Sequence, residues 1–176
     1  CLLCYRWLDR WEPEPTRLTV MALIWGGSAG VIFSFLVEMA IPASEFVTMA
    51  IVAPLAEELA KASVFILVAT GARKLELTSL TDHIFYAGIC ALGFAFVENL
   101  GYFALSSSAG EFVVMALVRT GFGVFGHPLY TTATAVGIWA WRTKGGLWKA
   151  AVGYIAACLL HGLWNGGPTL LAGSLG

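Results

Sequence analysis

Charged side chains are scarce in this chain. Ten Lys/Arg and eleven Asp/Glu make up 12% of its 176 residues, against 59% hydrophobic residues and a mean hydropathy of +0.80. A soluble domain carries about 25% charged residues, so the composition excludes one and reads as a polytopic membrane protein. The formal net charge of −1 excludes nucleic acid as a partner, because phosphate backbones require a basic surface. Four cysteines do not make a disulfide framework, since Cys90 and Cys158 lie inside apolar runs and behave there as small hydrophobes. Cys1 and Cys4 form a C-x-x-C, a weak metal or redox signal without a second pair. The numbering starts at Cys1 and not at a methionine, so an upstream segment is expected. No Ser/His/Asp arrangement and no H-E-x-x-H is present.

The apolar runs predict an all-α fold, a transmembrane helix bundle of about five spans at about 20 residues per crossing. Residues 1–17 read as a membrane-proximal segment with Trp7 and Trp11 at the interface, and residues 18–174 as the transmembrane core. The spans are expected at about 18–41, 46–70, 83–105, 111–141 and 147–171. Pro54 predicts a kink in the second span, and Gly121, Gly123, Gly126 and Pro128 predict one in the fourth. Gly26, Gly27, Ser28, Ala29 and Gly30 form a small-residue face suited to close helix packing. Arg6, Arg10 and Arg17, then Arg73 and Lys74, then Arg142, Lys144 and Lys149 alternate with loops that lack basic residues. By the positive-inside rule the N-terminal segment is cytoplasmic.

The second span carries Glu57, Glu58 and Lys61 in a run otherwise fit for lipid. Each such group costs roughly 2.5–3.5 kcal/mol at the centre of a membrane helix, so it marks a functional site by default. Glu57 and Lys61 are spaced as an i,i+4 pair, which leaves Glu58 without a local counter-charge. The later spans add Glu98 and Asn99 with Tyr102 one turn on, Arg119 as a partner for a carboxylate, His127, and His161 with Asn165 on one face. Measured from the outer ends, Glu57, Glu98, His127 and His161 fall roughly 10–24 Å deep, within one layer. Carboxylate plus imidazole in one layer suits general-base activation of water or metal ligation. A structural polar knot, with Glu57 and Lys61 neutralising each other, is the bland alternative.

At these residues the chain resembles the PrsW family of intramembrane proteases, related to the type II CAAX prenyl endopeptidases and to Aph-1. The motifs that carry the resemblance are Glu57-Glu58-x-x-Lys61, Phe94-x-x-x-Glu98-Asn99 with Tyr102, His127 after a Phe/Gly-rich run, and His161-x-x-x-Asn165, in that order. The Leu8–Pro15 stretch also resembles the segment before the core in actinobacterial members. The resemblance implies a multi-pass protein of the bacterial cytoplasmic membrane that cleaves a single-span membrane protein, such as an anti-sigma factor. It implies Glu57 as general base and His161 with Asn165 holding the oxyanion. Burial disfavours an ionised carboxylate and Lys61 favours an ionised Glu57, so Glu58 or Glu98 is expected as the acid. Where the prenyl endopeptidases have a second-motif histidine this chain has Glu98, and His127 is the candidate to supply the imidazole.

The leading expectation is a glutamic-type intramembrane endopeptidase with no cofactor, a transmembrane substrate and the lipid bilayer as its setting. The alternatives are a zinc metalloprotease with Glu98, His127 and His161 as ligands, a non-catalytic membrane scaffold, and a small ion or proton transporter.

Overall fold

A computed structural model describes residues 2–8, 10–11, 13–71 and 77–174. Every regular element among them is helical. Helix α1 is Leu2–Leu8. Helix α2, Thr16–Ala40, is 25 residues long and passes through a π-helical turn at Gly26–Gly30. The next stretch opens at Glu45–Val47, passes a π-turn at Thr48–Val52 and continues as Ala53–Ala62, together α3; Val64–Gly71 is α4. Helices α5, Leu80–Ala104, and α6, Ala109–Lys144, follow. Midway along α6 lie a π-turn at Leu117–Phe122 and a 3-10 turn at Gly123–Phe125. Helix α7 is Trp148–Ser174.

Three of these helices, α2, α5 and α6, are long and apolar enough to cross a membrane by length and composition alone. Around them the surface is apolar. Phe35, Leu36, Ile66, Leu117, Leu159 and Leu163 are all exposed, as side chains that face lipid tails would be. Helix α5 starts at Leu80, earlier than the expected His83, because Ser79 and Asp82 form a capping box. The Asp82 carboxylate accepts the Ser79 N–H at 2.7 Å, and the Ser79 hydroxyl accepts the Asp82 N–H at 3.1 Å. Arg73 and Lys74, on which part of the orientation argument rests, and Cys1 lie outside the described residues.

Helix α5 is the centre of the bundle, with Tyr86, Ile89, Cys90, Ala91 and Phe94 all buried. The small-residue face of α2 packs on it as expected. A Cβ at Gly26 would lie 1.9 Å from the Cys90 carbonyl oxygen, and one at Gly93 would lie 2.0 Å from that of Leu23, so the two backbones touch. Gly137 of α6 and Gly153 of α7 make a second close crossing, where a Cβ on Gly153 would come within 2.5 Å of the Ala133 oxygen. The N-terminal segment is part of the packing too. The Tyr5 ring meets Phe85 edge-on and lies over Gly88, and Glu14 accepts the Tyr86 hydroxyl at 2.6 Å.

The π-turn before Pro54 decides how α3 meets α7. Proline has no N–H, so carbonyls one turn back lose their helical donor. In π register the partner of Met49 would be residue 54, and the Met49 oxygen instead accepts the Asn165 amide at 3.2 Å. Gly162 packs on the Ala50 oxygen, 2.4 Å from where its Cβ would stand, and the Tyr154 hydroxyl donates to the Leu55 oxygen at 2.7 Å. These contacts hold the face of α3 that bears Glu58 against the face of α7 that bears His161.

Candidate active site

Four helices bring their polar groups to one buried cluster. Glu57, Glu58 and Lys61 come from α3, Glu98 from α5, His127 and Thr131 from α6, and His161 from α7. Lys61 and Glu58 are fully buried, and Glu57, His127 and His161 nearly so.

The Lys61 ammonium is the hub. It lies 2.7 Å from Glu58 Oε1, 3.4 Å from Glu57 Oε2 and 2.9 Å from His127 Nδ1, which engages all three of its N–H donors. Glu58 is therefore not left without a counter-charge, which corrects the pairing read from the sequence. Long side chains lean toward the helix N-terminus, so a lysine reaches back to i−3 as readily as to i−4. Phe94 closes over the ammonium, its ring centre 4.5 Å away.

The two imidazoles share one pattern. Because Lys61 donates to His127 Nδ1, the proton of this ring sits on Nε2 and is donated to Glu98 Oε2 at 2.9 Å. His161 Nδ1 donates to Glu58 Oε1 at 3.0 Å, which leaves Nε2 as the bare nitrogen. Each ring is thus steered by a carboxylate on its outer side. Both bare nitrogens face the same atom, Glu57 Oε2, at 3.9 Å from His127 and 3.7 Å from His161. The rings meet edge to face at 4.8 Å, and Tyr130 stacks on His161 at 5.0 Å.

Around this centre, Arg119 pairs with Glu98 and donates through Nε to Asn99 Oδ1 at 2.5 Å, its guanidinium 3.8 Å over the Tyr102 ring. Arg119, Asn99 and Tyr102 thus gather around Glu98, and the carboxylate that Arg119 meets is Glu98. Thr131 donates to Glu58 Oε2 at 2.9 Å. Thr131 and Tyr130 were not singled out from the sequence, although Thr131 lies at i+4 from His127 on the same face, which is the signal that would have found it. Asn165 follows His161 by one turn as expected, but it gives an amide N–H to Met49, and no contact with the three glutamates is among its described bonds. Three carboxylates share two permanent cations, Lys61 and Arg119.

A polar cleft of about 10 Å³, lined by Asn99, Arg119, His127, Tyr130 and Trp164, opens beside His127. That is roughly the space one water molecule needs. Glu57, His127 and His161 can together offer ligand atoms to a metal, all within 4.8 Å of one another. This set differs from the one expected, because Glu98 sits behind His127 and Glu57 in front of it.

An all-helical membrane protein with a buried carboxylate–imidazole centre fed by four helices is the class that fold and site define. A family model described as PrsW family intramembrane metalloprotease matches residues 14–175, and the chain belongs to that family. It is accordingly a peptide hydrolase that works on membrane proteins in a lipid bilayer. No curated protein and no solved structure matches the chain.

Proposed function

We propose that this chain is a glutamic-type intramembrane endopeptidase in which Glu57 activates the hydrolytic water. The observation that carries the reading is the convergence of two oriented imidazoles and an ammonium on one oxygen, Glu57 Oε2. A water held between Glu57 and the bare Nε2 of His161 gives its proton to the pair as it attacks the scissile carbonyl, and the proton passes on to the leaving amine. Charge that develops on the carbonyl oxygen is met by His161, once it shares the proton, and by the second N–H of Asn165, the first being committed to Met49. Glu58 is the positioning carboxylate, holding Lys61, His161 and Thr131 at once. The cleft beside His127 supports a route for water at this depth.

The same reading takes five helical stretches as five crossings, bent at the π-turns before Pro54 and before His127. Residues 1–17 are the cytoplasmic membrane-proximal segment and 18–174 the catalytic core, in the cytoplasmic membrane of a bacterium. The substrate is a single-span protein such as an anti-sigma factor.

A zinc enzyme is the second reading, favoured by the donor set and by the family's description. Tetrahedral zinc with bonds of about 2.0–2.1 Å sets its ligands about 3.3 Å apart. The two carboxylate–imidazole separations of 3.7 and 3.9 Å are close to that, the donor set as a whole spans up to 4.8 Å and would draw in around the ion, and outer carboxylates on both histidines are the usual support of metal-ligating imidazoles. Glu57, His127 and His161 therefore fit the ion, which would supply Lewis-acid polarisation and a more acidic water. Against it stands Lys61, a cation already bonded to the inward nitrogen of His127. The deciding experiment is cleavage of a single-span substrate in liposomes by wild type, Glu57→Gln and His161→Ala, each with and without a chelator. The glutamic reading expects wild-type activity to survive chelation and both variants to lose it. Loss on chelation that added zinc restores would replace it with the metal reading.

A further inference from the structure

A large groove lies on the far side of α3 from the catalytic cluster. It has a volume of about 960 Å³ and runs between α2, the α3–α4 stretch and the end of α6, with Trp25, Phe33, Leu59, Phe65 and Ile138 on its walls. Its interior is apolar in effect. Ser63 is its one uncharged hydroxyl, and that group accepts the Trp25 indole N–H at 2.8 Å while donating to the Ala60 carbonyl at 2.6 Å. At one end stands Arg142, in the last turn of α6 beside the half-exposed Trp141.

Arg142 is held in place. One of its N–H groups donates to His83 Nε2 at 3.3 Å. His83 is buried, stacks on the groove residue Phe65 at 5.6 Å, and gives its Nδ1 proton to the Ser79 carbonyl at 2.7 Å, which fixes the tautomer that can accept from Arg142. The carboxylate next door, Asp82, is taken up by Ser79 and Thr78 in the helix cap. No carboxylate pairs with Arg142 among the described residues, and a guanidinium has four further N–H donors to offer.

We propose that this groove binds an anionic phospholipid, with an acyl chain between α2 and α3 and the headgroup phosphate on Arg142. A fixed cation at the interface end of an apolar trough is complementary to an amphiphile with one net negative charge. Inorganic phosphate has no use for the trough, and a zwitterionic lipid brings a cation of its own to Arg142. The site is independent of whether the catalytic centre uses glutamate or zinc. Its occupant would brace the back of the helix whose front carries Glu57 and Glu58.

The test is thermal unfolding of delipidated protein in a non-ionic detergent, titrated with phosphatidylglycerol, phosphatidylcholine or sodium phosphate. Phosphatidylglycerol should raise the midpoint at concentrations about tenfold below those needed for phosphatidylcholine, the size of effect expected for one charge-assisted contact. Phosphate should leave the midpoint unchanged. Arg142→Gln should bring phosphatidylglycerol to the level of phosphatidylcholine, Arg142→Lys should keep part of the difference, and Ala62→Phe, which fills the trough, should weaken both lipids. Equal response to the two lipids in the wild type, or full selectivity in Arg142→Gln, would overturn the proposal, as would stabilisation by phosphate alone. So would an Ala62→Phe protein that keeps its lipid response but loses cleavage of a transmembrane substrate, since the trough would then be a substrate track.

Discussion

The two adjacent glutamates of α3 should fail in different ways when replaced, and the difference can be worked from their contacts. Glu58 is fully buried and accepts three hydrogen bonds of 2.7–3.0 Å from Lys61, His161 and Thr131. Glu58→Ala strands a buried ammonium with one carboxylate at 3.4 Å and leaves the His161 N–H without an acceptor, a loss of about 3–5 kcal/mol. For a chain of this length each kcal/mol moves the midpoint by about 2–4 °C, so the variant should melt roughly 6–20 °C lower. Glu58→Gln keeps an amide oxygen for Lys61 and His161 and can donate to Thr131, whose hydroxyl reverses. It should lose only about 1–2 kcal/mol. Glu57 makes longer contacts, of 3.4, 3.7 and 3.9 Å, so Glu57→Gln should change stability by less than about 1 kcal/mol. Its rate should nevertheless fall about 10²–10⁴-fold, or roughly 2.7–5.4 kcal/mol of barrier, if Glu57 is the base. Thermal unfolding in detergent and initial rates on a reconstituted single-span substrate give both numbers on the same preparations. A Glu57→Gln protein that keeps more than a tenth of the wild-type rate, or that melts as low as Glu58→Ala, would refute the division of labour.

Thr131→Val removes the 2.9 Å bond to Glu58 and should slow cleavage about tenfold with about 1–2 kcal/mol of lost stability, whereas Thr131→Ser should restore both, as rates and melting curves will report. Gly93→Ala places a methyl 2.0 Å from the Leu23 oxygen and should force α2 from α5 at a cost of about 1–3 kcal/mol, while Gly101→Ala, with nothing within 4 Å, should be neutral or slightly stabilising in the same melt. Lys61→Met takes the cation off His127 and leaves Arg119 as the one permanent cation beside the three carboxylates, so it should raise zinc affinity measured by calorimetry or fluorescence and abolish metal-free cleavage. Zinc binding no tighter than in wild type would show that Lys61 does not guard those ligands.

The helices and the level of the site were legible because both depend on local pattern. Apolar runs of fixed length specify helices in lipid, and 1.5 Å per residue suffices to put Glu57, Glu98, His127 and His161 in one layer. Contacts across the bundle were less so. That Glu98 stands behind His127 while Glu57 stands in front is set by how α5 and α6 rotate about their axes, which spacing along either helix leaves open. The pairing of Lys61 with Glu58 was open to local reasoning, since i−3 lies within the same reach as i−4. Asn165 illustrates the tertiary limit: its face was correct, but its acceptor is a Met49 carbonyl freed by the missing N–H of Pro54 on another helix. The burial of Tyr5 on Gly88 likewise follows from a glycine that reads, in the sequence, as just one more small residue of an apolar span.

Lys61 joins the energetics of the bundle to its chemistry. Buried ion pairs generally do no better than well-packed apolar side chains, so a cluster of three carboxylates and two cations is poor material for stability alone. The arrangement makes sense when the polar groups must keep one another in defined states. Lys61 fixes the His127 tautomer, that tautomer turns the Nε2 proton to Glu98, and Glu98 in turn holds Arg119. On the other side the same ammonium shares Glu58 with His161 and turns the bare nitrogen of that ring toward Glu57. One cation therefore orients both imidazoles from opposite flanks, and it leaves Glu57 as the carboxylate of the three with the longest and weakest contacts. The group least tied down by its neighbours is the one with a free hand for water.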